Sequence, residues 1–240
     1  MPETIGHFQL LEQVGAGTLG ELHRARDLEL GRTVAIRLLG PSFTTDPDTC
    51  QAVLNDARRV SALSHPAIAA VYECGEDAGR AYIASEFVPG QRLSVVVSGS
   101  PLNPRRALDL VVQIADGLAA ADGCDLTHGA LAAARIMVTS KGAAKVLDVG
   151  MSHWTSAKGQ ERLDDRVGLG AVLFEMLVGR PLKHGWPAEL RIGAVPAEVQ
   201  PVLQALASSR AGERYESMAT AAAALRELAE SFAARRSRGV

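Results

Sequence analysis

Along the first forty residues, apolar and polar side chains alternate over Phe8 to Val14, Glu21 to Asp27 and Thr33 to Leu38, which predicts three short strands. Gly15-Ala-Gly-Thr-Leu-Gly20 joins the first two and Asp27-Leu-Glu-Leu-Gly31 is a second turn, so the strands form an antiparallel meander. From Asp46 the period lengthens: Val53, Ala57, Val60 and Leu63 or Ser64 share one face of a helix that stops before His65-Pro66, because a residue preceding proline disfavours the α region. Ala70 to Glu76 and Arg80 to Glu86 return to strand character around the turn Asp77-Ala-Gly79. Phe87-Val-Pro-Gly90 then breaks the pattern and marks a hinge between two lobes.

Beyond the hinge, Asn103-Pro104 is a cap and first-turn pair, and Leu108, Val111, Ala115 and Leu118 space an amphipathic helix ending near Gly123. Arg135 to Thr139 and Ala144 to Leu147 flank Lys141-Gly142 as a small hairpin. Val167 to Gly179 carries a single charge, Glu175, so this helix is predicted to be buried nearly all round. Pro196 to Ala207 and Met218 to Phe232 are the closing helices.

Composition narrows the function classes. In 240 residues, 47% are apolar, enough for a real core, and 25 basic against 27 acidic residues leave no general basic surface for nucleic acid. The only charge cluster is Arg235, Arg236 and Arg238, which reads either as a solvated tail or as a lead towards an anionic membrane surface in a longer chain. Cys50, Cys74 and Cys124 lack the paired spacing of zinc or redox sites and read as reduced thiols. No apolar run reaches membrane-span length and the first residues do not look like a signal peptide, so a cytoplasmic protein is expected.

Glycines at 15, 17 and 20 permit positive φ and close backbone approach to a phosphate. The competing reading, a dinucleotide-binding turn, needs a helix directly after the glycines. Here a strand follows, then Val34-Ala-Ile-Arg37, so the loop belongs to a hairpin.

Taken in order, these parts resemble a bacterial serine/threonine protein kinase domain over residues 6 to 232. Gly15, Gly17 and Gly20 match the Gly-rich loop, with Leu22 for the usual valine above the adenine. Val34-Ala35-Ile36-Arg37 matches V-A-I-K with arginine for lysine, and Asp56 stands where the helix glutamate pairs with that lysine. Glu86 to Val88 match the adenine-binding hinge, with Ser85 as gatekeeper. The motif H-R-D-L-K-P-x-N is met by His128-Gly-Ala-Leu-Ala-Ala-Ala-Arg135: Ala130 replaces the base, Ala132 the phosphate-contacting lysine and Arg135 the metal-binding asparagine. His128 then reads as a packing histidine, and Arg135 reads equally as a surface arginine or a ligand.

Asp148-Val-Gly150 keeps the metal carboxylate and loses the phenylalanine; Asp148 also reads as a plain turn residue. Asp165-Arg-Val-Gly-Leu-Gly170 resembles the start of the central helix, and Glu213-Arg214-Tyr215 the arginine turn near the end. Only 14 residues separate Gly150 from Asp165 and no A-P-E follows, which leaves Arg214 without its usual glutamate partner. Thr155 and Ser156 in the remnant are either phosphorylation sites or ordinary loop residues.

The resemblance implies a two-lobed α+β fold. Residues 1–88 form an antiparallel five-stranded N-lobe with one helix and the hinge, residues 89–232 a mainly helical C-lobe, and residues 233–240 a basic tail. It implies a pseudokinase, a signalling or scaffold domain contacting protein partners of a kinase pathway, without efficient phosphoryl transfer and with no catalytic residue. ATP or another nucleotide, bound without magnesium, is the cofactor the cleft would take, through Gly15, Gly17, Gly20, Leu22, Ala35, Arg37, Glu86, Val88, Arg135, Met137 and Asp148. Asp148 is the one candidate metal ligand, and Arg37 and Asp56 are expected to form an ion pair. The alternatives are a weakly active serine/threonine kinase, another ATP-using transferase, or the regulatory module of a longer, anchored protein.

Overall fold

The computed structural model describes residues 3–151, 154, 163–182, 195–208 and 211–237. Thr155, Ser156 and Arg238, and the side chains of Arg235 and Arg236, lie outside the described residues. The chain divides into two compact units, Met1–Val88 with Asp148–Glu161, and Pro89–Leu147 with Arg162–Val240. Asp148 and the residues directly after it, assigned to the C-lobe on sequence alone, thus group with the first unit.

The first unit is built on β1 (Thr4–Ile5), β2 (Phe8–Gly17), β3 (Gly20–Asp27), β4 (Thr33–Leu39), β5 (Val71–Asp77) and β6 (Arg80–Glu86), in the antiparallel order β1-β2-β3-β4-β6-β5. The five expected strands are joined by a sixth because Thr4–Ile5 folds back on Phe8 and Gln9. A two-residue edge strand carries no periodic pattern that a sequence could display. Alternation sorts the sheet's faces. Val34, Ile36 and Leu38 of β4 point into a cluster with Phe8, Leu10, Tyr82 and Ala84.

Leu39, with Ala81 and Ile83 of β6, packs on the opposite side against α1 (Pro41–Thr44) and α2 (Pro47–Ser61) through Phe43, Val53, Leu54 and Ala57. Asp46 starts α2 as an N-cap whose carboxylate accepts from the Asp48 and Thr49 amides, at 3.3 Å each, with Pro47 in the first turn. The hairpin from β5 to β6 turns through Ala78 (φ 49°) and Gly79 (φ 77°), the pair of positive φ values that a two-residue loop of matching twist requires.

In the second unit β7 (Gln91–Arg92) pairs with β8 (Ile136–Val138), which pairs with β9 (Ala144–Val146), so the predicted hairpin gains one short strand. Around it lie α3 (Leu93–Val96) and α4 (Pro104–Asp122), the latter capped by Asn103, whose side chain accepts from the Arg105 amide at 3.0 Å. The central helix, α5 (Asp165–Val178), buries Leu169, Val172, Leu173, Phe174, Met176 and Leu177 and ends on Gly179 in the left-handed conformation (φ 76°). Burial raises the pKa of its one mid-helix charge, Glu175. α6 (Gln200–Ala207) starts four residues later than expected, after a turn from Pro196 to Val199, with Pro201 in its first turn. α7 (Met218–Ser237) runs past Phe232 and lies along α4.

Candidate functional site

In the first unit the strand register brings most of the predicted nucleotide-binding residues to one face of the sheet. Gly15 is opposite Leu22, Leu22 opposite Arg37, and Ala35 opposite Ser85. Directly paired residues point to the same side of a sheet, so Leu22, Ala35 and Arg37 line the face that also carries α2. Glu86 closes β6 by pairing with Val34; its amide donates to the Ala70 carbonyl at 2.8 Å and its carboxylate accepts from the Ala70 amide at 3.3 Å. Val88 is buried at the end of this unit.

The glycines of the β2–β3 hairpin divide into two kinds. Gly20 is required by the chain's own packing: its φ is 128° and a Cβ there would lie 1.9 Å from the Leu38 carbonyl oxygen. Gly15 and Gly17 meet no such demand, since a Cβ on either would touch nothing within 4 Å. Gly20→Ala is therefore expected to cost about 2 kcal/mol or more in unfolding free energy, while Gly15→Ala and Gly17→Ala change it little; parallel denaturant titrations check the contrast. What the two open glycines leave is free backbone on the hairpin, the physical use of a phosphate-contacting loop. The hairpin tip is nevertheless anchored. Leu19 is 1% exposed in a cluster with Leu39, Phe43, Val53, Leu54 and Met151, and its carbonyl accepts from the Gly40 amide at 3.2 Å.

Arg37 points inward from β4 and is 17% exposed. Its partner is not the expected one. The guanidinium donates to Asp148 Oδ1 at 3.2 Å, and no ion pair joins Arg37 to Asp56. Asp56 instead accepts from Trp154 Nε1 at 2.8 Å and lies 3.8 Å from Arg59 on its own helix. Two causes act together: aspartate is one methylene shorter than the glutamate it replaces, and the indole N–H provides a competing donor. Trp154 also meets Phe43 edge-on, with ring centroids 6.1 Å apart. Asp148 sits at φ 56°, a region aspartate tolerates better than most residues, and Gly150 follows at φ 73°. Nothing in the hydrophobic periodicity marks Trp154. The only signal was a large aromatic, one of two tryptophans in the chain, in a short polar remnant.

In the second unit the loop carrying His128 is firmly held. The His128 and Gly129 amides each donate to the Asp165 carboxylate at 2.7 Å, the Gly129 carbonyl accepts from the Leu163 amide at 2.8 Å, and the fully buried His128 ring accepts from the Ala130 amide at 3.2 Å. Burial pushes the Asp165 carboxyl up, against the two N–H donors and His128, which pull it down. Leu131 packs so closely on α5 that a Cβ at Gly168 would lie 2.9 Å from the leucine's Cβ. The loop ends in a 3-10 turn, Ala133–Arg135, whose last carbonyl accepts from the Leu147 amide at 2.8 Å. Arg135 is half-buried, and Met137 lies on β8 between Arg92 and Lys145. The framework of the loop is thus intact around alanines that carry no reactive group.

Arg214 is not left without a partner. Its Nη1 donates to Asp164 Oδ2 at 2.8 Å and its Nε to the Ser208 carbonyl at 2.7 Å. Asp164 also caps α5 through the Arg166 amide at 2.9 Å and binds the Arg166 guanidinium at 2.6 and 2.9 Å. The hydrogen bonds from Arg166 hold the Asp164 carboxyl below its ordinary value, with Arg214 adding to the effect. Asp164 does here what the missing A-P-E glutamate does in the resemblance, from a position visible in the sequence only as a polar residue before an apolar helix.

A six-stranded antiparallel lobe with one long helix, and a helical lobe with a small sheet beside a braced histidine loop, define a protein kinase fold. The family model for protein tyrosine and serine/threonine kinases matches residues 8–169, and the chain belongs to that family. Among curated relatives, serine/threonine-protein kinase PknB of Mycobacterium tuberculosis is 31% identical over 204 residues, covering 72% of this chain and 33% of the relative. Serine/threonine-protein kinase PrkC of Bacillus subtilis is 29% identical over 199 residues, covering 73% of this chain and 31% of the relative. The chain thus spans about a third of the length of these relatives. Among solved structures, the kinase domain of Mycobacterium tuberculosis PknI aligns with a TM-score of 0.77 at 19% identity, covering 95% of this chain and 98% of that one. No helix among the described residues is long and apolar enough to cross a membrane.

Proposed function

We propose that this domain is a pseudokinase: a kinase-family module that acts by contacting protein partners, with or without a bound nucleotide, and without efficient phosphoryl transfer. The observation that carries the reading is the combination of a braced loop and absent chemistry. Asp165 fixes the His128 loop with two bonds of 2.7 Å, yet the residue at the base position is Ala130, which has no proton acceptor. A loop held in shape without its base suits a role in which the fold, and not turnover, is used.

A nucleotide fits this chain better than its usual magnesium pair does. Gly15 and Gly17 leave open backbone, and Arg37 is an inward cation on the same sheet face as Leu22 and Ala35. The metal donors do not fit. Asp148 is engaged by Arg37, and the family's metal-binding asparagine is Arg135, a cation that cannot ligate a metal. Phosphate oxygens would instead meet the Arg37 guanidinium directly. The expected result is that ATP raises the unfolding midpoint equally in EDTA and in magnesium, because a ligand that binds only the folded state stabilises it. A shift seen only with magnesium overturns the metal-free reading, and no shift in either buffer removes the nucleotide from it.

The second reading, a weakly active serine/threonine kinase, is favoured by the names of the relatives and by the retained Asp148. Residual transfer that depends on Asp148 separates the two readings. Family membership supports partners in a kinase pathway, and we infer a cytoplasmic site of action with them.

A further inference from the structure

Where the last turn of α4, the His128 loop and the starts of α5 and α7 meet, the second unit holds a cavity of about 480 Å³. Its apolar wall is Leu118 of α4, Leu163 just before α5 and Met218 at the head of α7. Leu118 and Met218 are buried, but Leu163 leaves 42% of its surface exposed. The polar wall is acidic. Asp122, Asp164, Asp165 and Glu216 line it, with Arg166 as the one cation among its lining residues.

The carboxylates divide by what they already hold. Asp164 is taken by Arg166 and Arg214, and Asp165 by the His128 and Gly129 amides. Arg166 is likewise committed: its Nε and Nη2 donate to Asp164, and its Nη1 to the Tyr215 and Glu216 carbonyls. The side chains of Asp122 and Glu216 are exposed and make no hydrogen bond or ion pair among the described residues. Asp122 moreover ends α4, where the helix dipole disfavours a negative charge, so it does not serve its own helix. Among the described residues no three histidine, cysteine, aspartate or glutamate side chains are grouped to hold a metal ion. The cavity therefore offers two carboxylates with open acceptor positions beside an apolar wall, a complement to a cation carried on an aliphatic stem.

We propose that this groove docks a protein partner by an arginine side chain, whose methylenes lie along Leu163 and Met218 and whose guanidinium is shared by Asp122 and Glu216. The groove thereby gives the partner-contacting role above, on which this rests, a surface and a partner chemistry. Arginine suits it better than lysine, because a planar fork with five donors can serve two carboxylates while an ammonium is more strongly hydrated. An acidic or phosphorylated segment is repelled by the same carboxylates. Leu163 separates such a seat from diffuse charge attraction, since it contributes only if the stem of the side chain lies against it.

The probe is a capped peptide Ala-Leu-Arg-Leu-Ala, with counterparts carrying lysine, glutamine or glutamate in place of arginine, titrated against the full chain by calorimetry. The arginine peptide is expected to bind with a Kd below about 1 mM, the lysine peptide more weakly, and the glutamine and glutamate peptides not measurably. Asp122→Asn and Glu216→Gln are each expected to weaken binding about fivefold, and Leu163→Ala about threefold through the lost stem contact. Asp109→Asn, which removes an exposed carboxylate from the first half of α4, should leave it unchanged. Circular dichroism melts establish that each variant is folded, and Asp122→Asn should keep or raise the midpoint because it removes a negative charge from a helix C-terminus. Failure of the arginine peptide to bind, unchanged affinity in folded Asp122→Asn and Glu216→Gln, or an equal loss in Asp109→Asn overturns the docking site. Phosphoryl transfer measured on the same preparations decides the pseudokinase reading separately, so either can fail alone.

Discussion

Asp164→Ala is expected to lower the unfolding midpoint by roughly 6–12 °C, corresponding to about 3 kcal/mol in a chain of this size. Three losses add. The helix α5 loses its cap, typically about 1 kcal/mol. The Arg166 guanidinium loses its carboxylate at 2.6 Å, keeping only the carbonyls of Tyr215 and Glu216. The Arg214 guanidinium loses its contact at 2.8 Å and keeps only the Ser208 carbonyl. Both arginines are about three-quarters buried, 23% and 24% exposed, so each stranded charge costs more than a surface ion pair would.

The same residue gives a pH signature. Arg166 and Arg214 depress the folded-state pKa of Asp164, so its contribution is fully present above the unfolded value near 3.9 and is lost as pH falls through the folded value below it. Subtracting the melting curve of Asp164→Asn from that of the wild type isolates this component. The difference should be constant from neutral pH down to about pH 5 and shrink below it. Asp27 and Asp46, also depressed by hydrogen bonds, are present in both proteins and cancel. A difference that grows on acidification contradicts the assignment.

How far the sequence carried depended on whether a feature was periodic. Alternation over 33–38 and the apolar face of Val53, Ala57 and Val60 located β4 and α2 because each repeats over several residues. The same alternation accounts for the inward side chain of Arg37, since its neighbours Val34 and Ile36 fix the pleat. Contacts made by a single side chain across the chain carry no period. Trp154 meeting Asp56, 98 residues away, and Arg214 meeting Asp164, 50 residues away, both replaced the partner that the resemblance supplied. In each case a donor or acceptor already in place took the vacant position, because a half-buried charge is paired by whatever lies within reach. The glycines show the limit from the other side: three looked alike in sequence, and only the backbone near Leu38 separates Gly20 from Gly15 and Gly17.

Phosphoryl transfer to protein is expected to be absent or slower than that of an intact kinase by well over the 10²- to 10⁴-fold, roughly, that a missing general base costs. Transfer depends on positioning and on neutralising charge at the moving phosphoryl group. Ala130 cannot accept the substrate hydroxyl proton, Ala132 offers no ammonium to the phosphate, and Arg135 supplies no oxygen for a metal. Asp148, the surviving carboxylate, is held by Arg37 at 3.2 Å. Restoring one function at a time should not restore activity, because these groups act together on one geometry. Ala130→Asp alone is therefore expected to remain inactive, and Ala130→Asp with Arg135→Asn to be the first variant to gain measurable transfer.

The most direct measurement is transfer of labelled γ-phosphate from ATP to the protein itself and to a generic basic substrate, in magnesium, with wild type and Asp148→Ala side by side. The account predicts no incorporation above background in either protein, and no difference between them. Robust incorporation by the wild type that Asp148→Ala abolishes would contradict it and make this domain a working kinase.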